Sequence, residues 1–237
     1  MVDRHSVANE FQKPVTIEFK LLDLVTRILP SAFYLIVLVH KVNETDAFID
    51  NRQAFDAGSS WRFFAEVVSR SSTILFLGLL TILFIVRLEP IQKAKGLLPR
   101  ALAIVGTFTM TLVTLFPRAN LSFTQTVIAS FLSLVGTGLS VFALAHLGRS
   151  FSVMAEARRL VTSGPYRIVR HPLYVFESVA SLGIVFQFFS AYGVLIFIFH
   201  CFFQLQRMKY EEAVLEGVFP EYQTYRSKTA RLIPGIY

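Results

Sequence analysis

Ser163-Gly164-Pro165-Tyr166-Arg167-Ile168-Val169-Arg170-His171-Pro172-Leu173-Tyr174 sets aromatic, cationic and imidazole side chains against the start of a strongly hydrophobic run. Polar groups at such a boundary are costly unless partners or a ligand satisfy them. Gly164-Pro165 is a turn signal, and His171-Pro172 opens a helix, because proline is tolerated in a first turn. The run that follows, Leu173 to Leu205, is predominantly apolar and too long for one crossing, since about 20 residues span a bilayer. Ser190-Ala191-Tyr192-Gly193 interrupts it. This predicts two antiparallel helices with a tight turn, the second continuing past the membrane through Arg207 to about Val218.

The rest of the chain fits the same class. Hydrophobic residues make up 54% of 237 positions and Phe alone occurs 24 times, which excludes an ordinary water-soluble domain. Working from the start, Met1 to Lys20 is polar, lacks a signal-peptide pattern and reads as a cytosolic tail. Leu21 to Val39 is a first span, Ser71 to Val86 a second that ends before Pro90, and Ala101 to Phe116 a third stopped by Pro117. Gln125 to Leu147 is a fourth. It carries Ser133, Gly136, Thr137, Ser140 and Ala143 at helical spacings, a small-residue face expected to pack on a neighbouring helix. Residues 41–70 hold five acidic and four basic side chains and read as a solvated outer loop with a short interfacial helix.

The fold class is therefore all-α: a polytopic membrane helix bundle of about six transmembrane helices with both termini cytosolic. The positive-inside rule tests it independently, because this arrangement places eighteen of the 23 Lys and Arg residues on the inner side. The net charge of +7 is thus read as topology, and no nucleic-acid partner is expected. Asn43-Glu44-Thr45 and Asn120-Leu121-Ser122 match the glycosylation acceptor pattern and fall in expected outer loops, although such triplets are common by chance. The single cysteine, Cys201, excludes an intramolecular disulfide, and the five histidines show no metal-ligand spacing, so no metal is expected.

On the last long helix His200, Gln204, Arg207 and Glu211 are spaced by four, three and four residues and share one face. Arg207 and Glu211 alone would suit a snorkelling arginine with a surface ion pair. His200 and Gln204 sit too deep for that, so the stripe is expected to face a lined cavity. Read alone, Arg167 and Arg170 suit lipid headgroups.

The whole pattern is more specific. The Thr162 to Tyr174 segment, followed by Arg207, Glu211-Glu212 and Phe219-Pro220-Glu221-Tyr222-x-x-Tyr225, resembles the isoprenylcysteine carboxyl methyltransferase family, which shares its R-H-P-x-Y and E-E elements with membrane phospholipid methyltransferases. The resemblance covers roughly residues 140–237. Phe176 and Pro220 stand where the family usually or frequently has glycine, and the first three spans carry no matching signature. It implies one integral-membrane domain over 1–237, with variable N-terminal spans over 1–125 and a catalytic core over 126–237.

The resemblance further implies S-adenosyl-L-methionine as methyl donor, with Tyr166, His171, Pro172 and Tyr174 contacting it and Glu211 or Glu212 pairing with its amino group. Arg207, and with it Arg170, would face the acceptor, giving Arg207, Arg170 and Glu211 catalytic roles. Carboxylates and aromatic faces suit a sulfonium ligand. A carboxylate acceptor needs only a fixing arginine; an amine or thiol acceptor needs a base, for which His200, Glu177 and Glu211 are candidates. Glu177, His200 and Gln204 are the expected substrate-lining residues. A site at the cytosolic edge implies a lipid-like or prenylated small molecule as partner, in a bacterial cytoplasmic membrane or the endoplasmic reticulum according to source. Two further readings are open. A steroid reductase would suit the R-L-I-P-G-I-Y ending at Arg231 to Tyr237, and a transporter would use the charged stripe as a permeation path.

Overall fold

The computed structural model describes residues 17–54, 60–115, 119–188 and 190–236; of the expected polar start only Ile17 to Lys20 is described, as the first turn of a helix, and Pro117 and Tyr237 lie outside. Seven α-helices occur among the described residues: α1 (Ile17–Asp50), α2 (Ser60–Val86), α3 (Leu98–Phe108), α4 (Phe123–Leu147), α5 (Pro172–Gln187), α6 (Ala191–Val218) and α7 (Tyr222–Lys228). Three stretches are long and apolar enough to cross a membrane: Phe63–Val86, Phe123–Ser150 and Ala191–Val218. Leu98–Phe108 and Pro172–Gln187 are shorter apolar helices. The chain is thus an integral membrane protein built mostly of helix.

Local chemistry sets the helix ends. Ser122 caps α4, accepting from the backbone amide of Gln125, whose side-chain Oε1 in turn accepts from the Ser122 amide. Ser190 breaks the long apolar run as expected and caps α6 through the Gly193 amide at 3.0 Å. The carbonyls at the end of α2 are met by two arginines: Arg149 Nε donates to Val86 at 2.7 Å, and Arg27 Nη1 to Ile85 at 3.3 Å. Cations there also complement the helix dipole.

Two differences from expectation stand out. Residues 41–50 are not a loop, because α1 runs on to Asp50; its charged turns are knitted by Lys41–Glu44 at 2.6 Å and His40–Glu44 at 3.3 Å. The Asn43-Glu44-Thr45 triplet is therefore helical. The third apolar segment keeps α-helical form only to Phe108 and tightens to a 3-10 helix over Thr109–Leu115.

The small-residue face of α4 packs as expected. A side chain at Gly136 would stand 2.2 Å from the Ala180 backbone nitrogen, and one at Gly183 would stand 2.3 Å from Ser133 Oγ. Only glycine lets α4 and α5 approach this closely, so the pair is the frame on which the R-H-P-L-Y segment is mounted. A buried cluster of Leu80, Leu83, Phe84, Leu144 and Phe151 joins α2 to α4. Two short strands, β1 (Gln92–Lys93) and β2 (Glu156–Ala157), pair antiparallel and tie the α2–α3 connector to the segment before α5.

Candidate active site

The segment that opens the chain's chemistry is fixed from behind. Arg170 and His171 donate their backbone amides to the carbonyls of Ala230 and Arg231 at 2.8 and 3.1 Å. Glu212 then receives Arg170 Nε at 2.9 Å, His171 Nε2 at 3.2 Å and Arg231 Nη2 at 2.6 Å. Its carboxylate is 4% exposed and both oxygens are occupied. The second nitrogen branch of Arg170 goes to the carbonyls of Arg226 and Thr229. Tyr225 donates to the Tyr166 carbonyl at 2.6 Å. Helix α6, the R-H-P segment and the chain after α7 are thereby locked into one block.

In front of this block lies a cavity of about 590 Å³, within the range of small-molecule sites. Tyr166, Arg170, His171, Tyr174, Glu177, His200, Gln204, Arg207 and Glu211 all line it. The four members of the α6 stripe therefore face the same space as the R-H-P-L-Y segment. Pro172, fully buried, and Glu212 lie behind the wall. Towards α1, α2 and the 3-10 turn the lining is mainly apolar, with Phe33, Val37, Phe76, Leu77 and Met110, and Lys41 and Thr73 also face it there.

The polar groups of the cavity differ in how far they are satisfied. Tyr174 donates its hydroxyl to Glu211 Oε1, and the other oxygen of Glu211 stands 3.9 Å from His171 Nδ1. Arg207 is 7% exposed; its Nη1 donates to Gln204 Oε1 at 2.7 Å and its Nη2 to the Val153 carbonyl at 2.9 Å. Its guanidinium lies 5.2 Å from the Tyr174 ring centroid, a cation–π contact. Nε has no partner, and no carboxylate reaches ion-pair distance of Arg207 among the described residues. Gln204 Nε2 reaches Glu177 Oε2 at 3.4 Å. His200 Nδ1–H donates to the Gly106 carbonyl at 3.1 Å, which leaves Nε2 as a buried acceptor without a partner. The hydroxyl of Tyr166 is also buried and unpartnered, and burial raises the pKa of this phenol well above its ordinary value, so it remains a donor.

Several contributors escaped sequence reasoning. Tyr34 comes from α1, Val153 offers only a backbone carbonyl, and Arg231 was read as part of a reductase-like ending rather than as the anchor of Glu212. Phe176, at a position where the resemblance implies glycine, packs against Ala143, Val161 and Tyr166 at the back of the segment. Among the described residues no three His, Cys, Asp or Glu side chains gather as a metal-ligand cluster.

A helical membrane protein with a charged, aromatic-walled pocket closed by R-H-P-L-Y and a glutamate pair is the class that fold and site define. Residues 127–217 match the model of the isoprenylcysteine carboxyl methyltransferase (ICMT) family, a stretch that runs from α4 to α6 and includes both glutamates. Among curated proteins the chain is similar to a protein-S-isoprenylcysteine O-methyltransferase of Schizosaccharomyces pombe, 37% identical over 120 residues, 47% of this chain and 50% of the relative. It is similar too to the cobalt-zinc-cadmium resistance protein CzcN of Cupriavidus metallidurans, 31% identical over 109 residues, 44% of this chain and 50% of the relative. The nickel-cobalt-cadmium resistance protein NccN of Alcaligenes xylosoxydans xylosoxydans is 28% identical over 110 residues, 44% of this chain and 51% of the relative. The chain spans about half the length of these curated relatives.

Proposed function

We propose that the protein is an S-adenosylmethionine-dependent methyltransferase of the membrane that O-methylates the carboxylate of an amphiphilic, isoprenylcysteine-like acceptor. The observation that carries the acceptor reading is Arg207. A buried guanidinium whose hydrogen bonds all go to neutral oxygens, and whose Nε has no partner, lacks a direct ion pair. An acceptor carboxylate supplies that pair and can take two parallel N–H bonds.

The residues present fit the cofactor. Glu211 keeps an oxygen toward the cavity for a cationic centre, the Tyr174 ring offers an aromatic face, and the Tyr166 hydroxyl is a buried donor in need of an acceptor. His171 lines the same wall, held by Glu212. These residues would hold S-adenosylmethionine, which supplies when bound a sulfonium methyl that leaves its sulfur as the bond to the acceptor oxygen forms. Arg207 orients the acceptor carboxylate, already ionised, so no residue has to remove a proton. The apolar walls keep water from the reacting oxygen and receive the acceptor's hydrophobic part.

The six-crossing arrangement, with both ends and the pocket mouth on the cytosolic side, belongs to this proposal and rests on the inner-side excess of Lys and Arg. Calorimetry on the purified protein tests the donor: heat with S-adenosylmethionine and none with NADPH is expected, and the reverse would replace this reading with the reductase. Identifying the product labelled by methyl-labelled cofactor in detergent extracts tests the acceptor, with a base-labile methyl ester as the expected result.

A further inference from the structure

Arg207 and Glu177 face one cavity from neighbouring helices, yet they do not pair. Among the described residues no cationic side chain comes within ion-pair distance of Glu177, whose one protein hydrogen bond is the long contact from Gln204 at 3.4 Å. Gln204 stands between the two charges, its Oε1 accepting from Arg207 at 2.7 Å and its Nε2 donating to Glu177. The amide orientation is set by these partners, since only its oxygen can serve the guanidinium and only its nitrogen the carboxylate. A carboxyl and a guanidinium held apart by a neutral spacer, both opening on the same cavity, offer a ligand a site for a cation beside a site for an anion. Glu177 is only partly buried and carries lone pairs that Gln204 does not use.

Resting on the methyltransferase reading above, we infer that Glu177 is a specificity-determining residue that selects a zwitterionic acceptor: a free ammonium for Glu177 beside the carboxylate for Arg207, on an apolar tail. The class this defines is a free amino acid bearing a long hydrophobic side chain, as opposed to a chain end whose nitrogen is acylated. A carboxylate in such surroundings gains far more from an ammonium than from an amide N–H, because the bond is charge-assisted at both ends. An acceptor without any nitrogen leaves Glu177 buried by the ligand and unmatched.

The test is equilibrium binding to the full chain in micelles, without cofactor, using S-dodecylcysteine, its N-acetyl derivative and the des-amino thioether acid of the same length. The free amine is expected to bind about ten- to hundredfold more tightly than the des-amino acid, with the N-acetyl compound between them. In Glu177→Gln the three should fall within about threefold of one another, while S-adenosylmethionine binding and the thermal midpoint report that the variant is folded. Equal binding of the three probes by the unaltered protein, or an amine preference that survives Glu177→Gln, overturns the inference and leaves the methyltransferase reading standing. If S-adenosylmethionine binds but none of the three acids does, the carboxylate reading fails and this inference with it.

Discussion

Glu211 and Glu212 are chain neighbours on α6, and they do opposite work. Glu212 points into the block behind the cavity, where Arg170, His171 and Arg231 use both its oxygens. Glu211 points into the cavity, where Tyr174 uses one oxygen and the other has only His171 Nδ1 at 3.9 Å. The same contrast separates Arg170, spent on protein acceptors, from Arg207, bound only to neutral oxygens. A saturated buried charge holds structure, whereas an unsaturated one facing a cavity is free for a ligand. On the function proposed above, two adjacent, chemically identical residues thus divide architecture from binding.

Removing a saturated partner should do the greatest harm. Glu212→Ala leaves the partly buried Arg170 and Arg231 guanidinium groups without the carboxylate they share, and is expected to cost about 3 kcal/mol. The thermal midpoint in detergent should fall sharply, and cofactor binding should be lost with it. A Glu212→Ala protein as stable as the parent would break the division drawn here.

Arg207→Ala addresses the unsaturated side. Turnover should drop by at least about a hundredfold while cofactor affinity changes by less than about twofold, because the guanidinium is assigned to the acceptor. Calorimetry with S-adenosylmethionine, run beside the methylation assay, separates the two effects. Loss of cofactor heat in a folded Arg207→Ala protein would move this residue to the donor side.

Glu211→Gln comes next. The amide can still accept from Tyr174, so the thermal midpoint should stay near that of the parent, while cofactor affinity should fall by about tenfold for a lost charge pair. Unchanged affinity, with the loss appearing in Glu212→Gln instead, would exchange the roles of the two glutamates.

Much of this site was legible in the sequence, and the part that was not has a physical reason. The stripe His200, Gln204, Arg207 and Glu211 follows from helical spacing, and all four line the cavity. Gly136, on the small-residue face of α4, marks a tight helix contact because small residues let helices approach closely in lipid, whereas its counterpart Gly183 on α5 comes from the structure alone. Periodicity does not report that Glu211 and Glu212, about 100° apart on one helix, meet different partners, because those partners arrive from segments distant in the chain. Arg231 reaches Glu212 only because residues 230–231 hydrogen-bond to the R-H backbone, and Val153 serves Arg207 through a carbonyl that any residue would offer. The charges over 41–50 suggest a loop, yet Lys41 and His40 meet Glu44 at i,i+3 and i,i+4, which solvates the helix without ending it.

The smallest expected effect lies at the outer edge of the saturated block. Tyr225 donates to the Tyr166 carbonyl at 2.6 Å, and burial pushes its phenol up to about 12, with Arg170 opposing and Glu212 adding to the rise. The folded state therefore favours the protonated phenol more strongly than the unfolded chain does. The resulting stability is fully present below the ordinary value of 10.0 and is lost as pH rises through about 12. Tyr225→Phe should lower stability by about 1 kcal/mol at neutral pH, the worth of one hydrogen bond, and should flatten the alkaline decline of the thermal midpoint. Cofactor affinity should stay within about twofold, since the ring still packs and Tyr166 keeps its own hydroxyl. Tyr225 also lines the cavity beside Tyr166, so a large affinity loss without a stability loss would mean that its hydroxyl serves the ligand rather than the block.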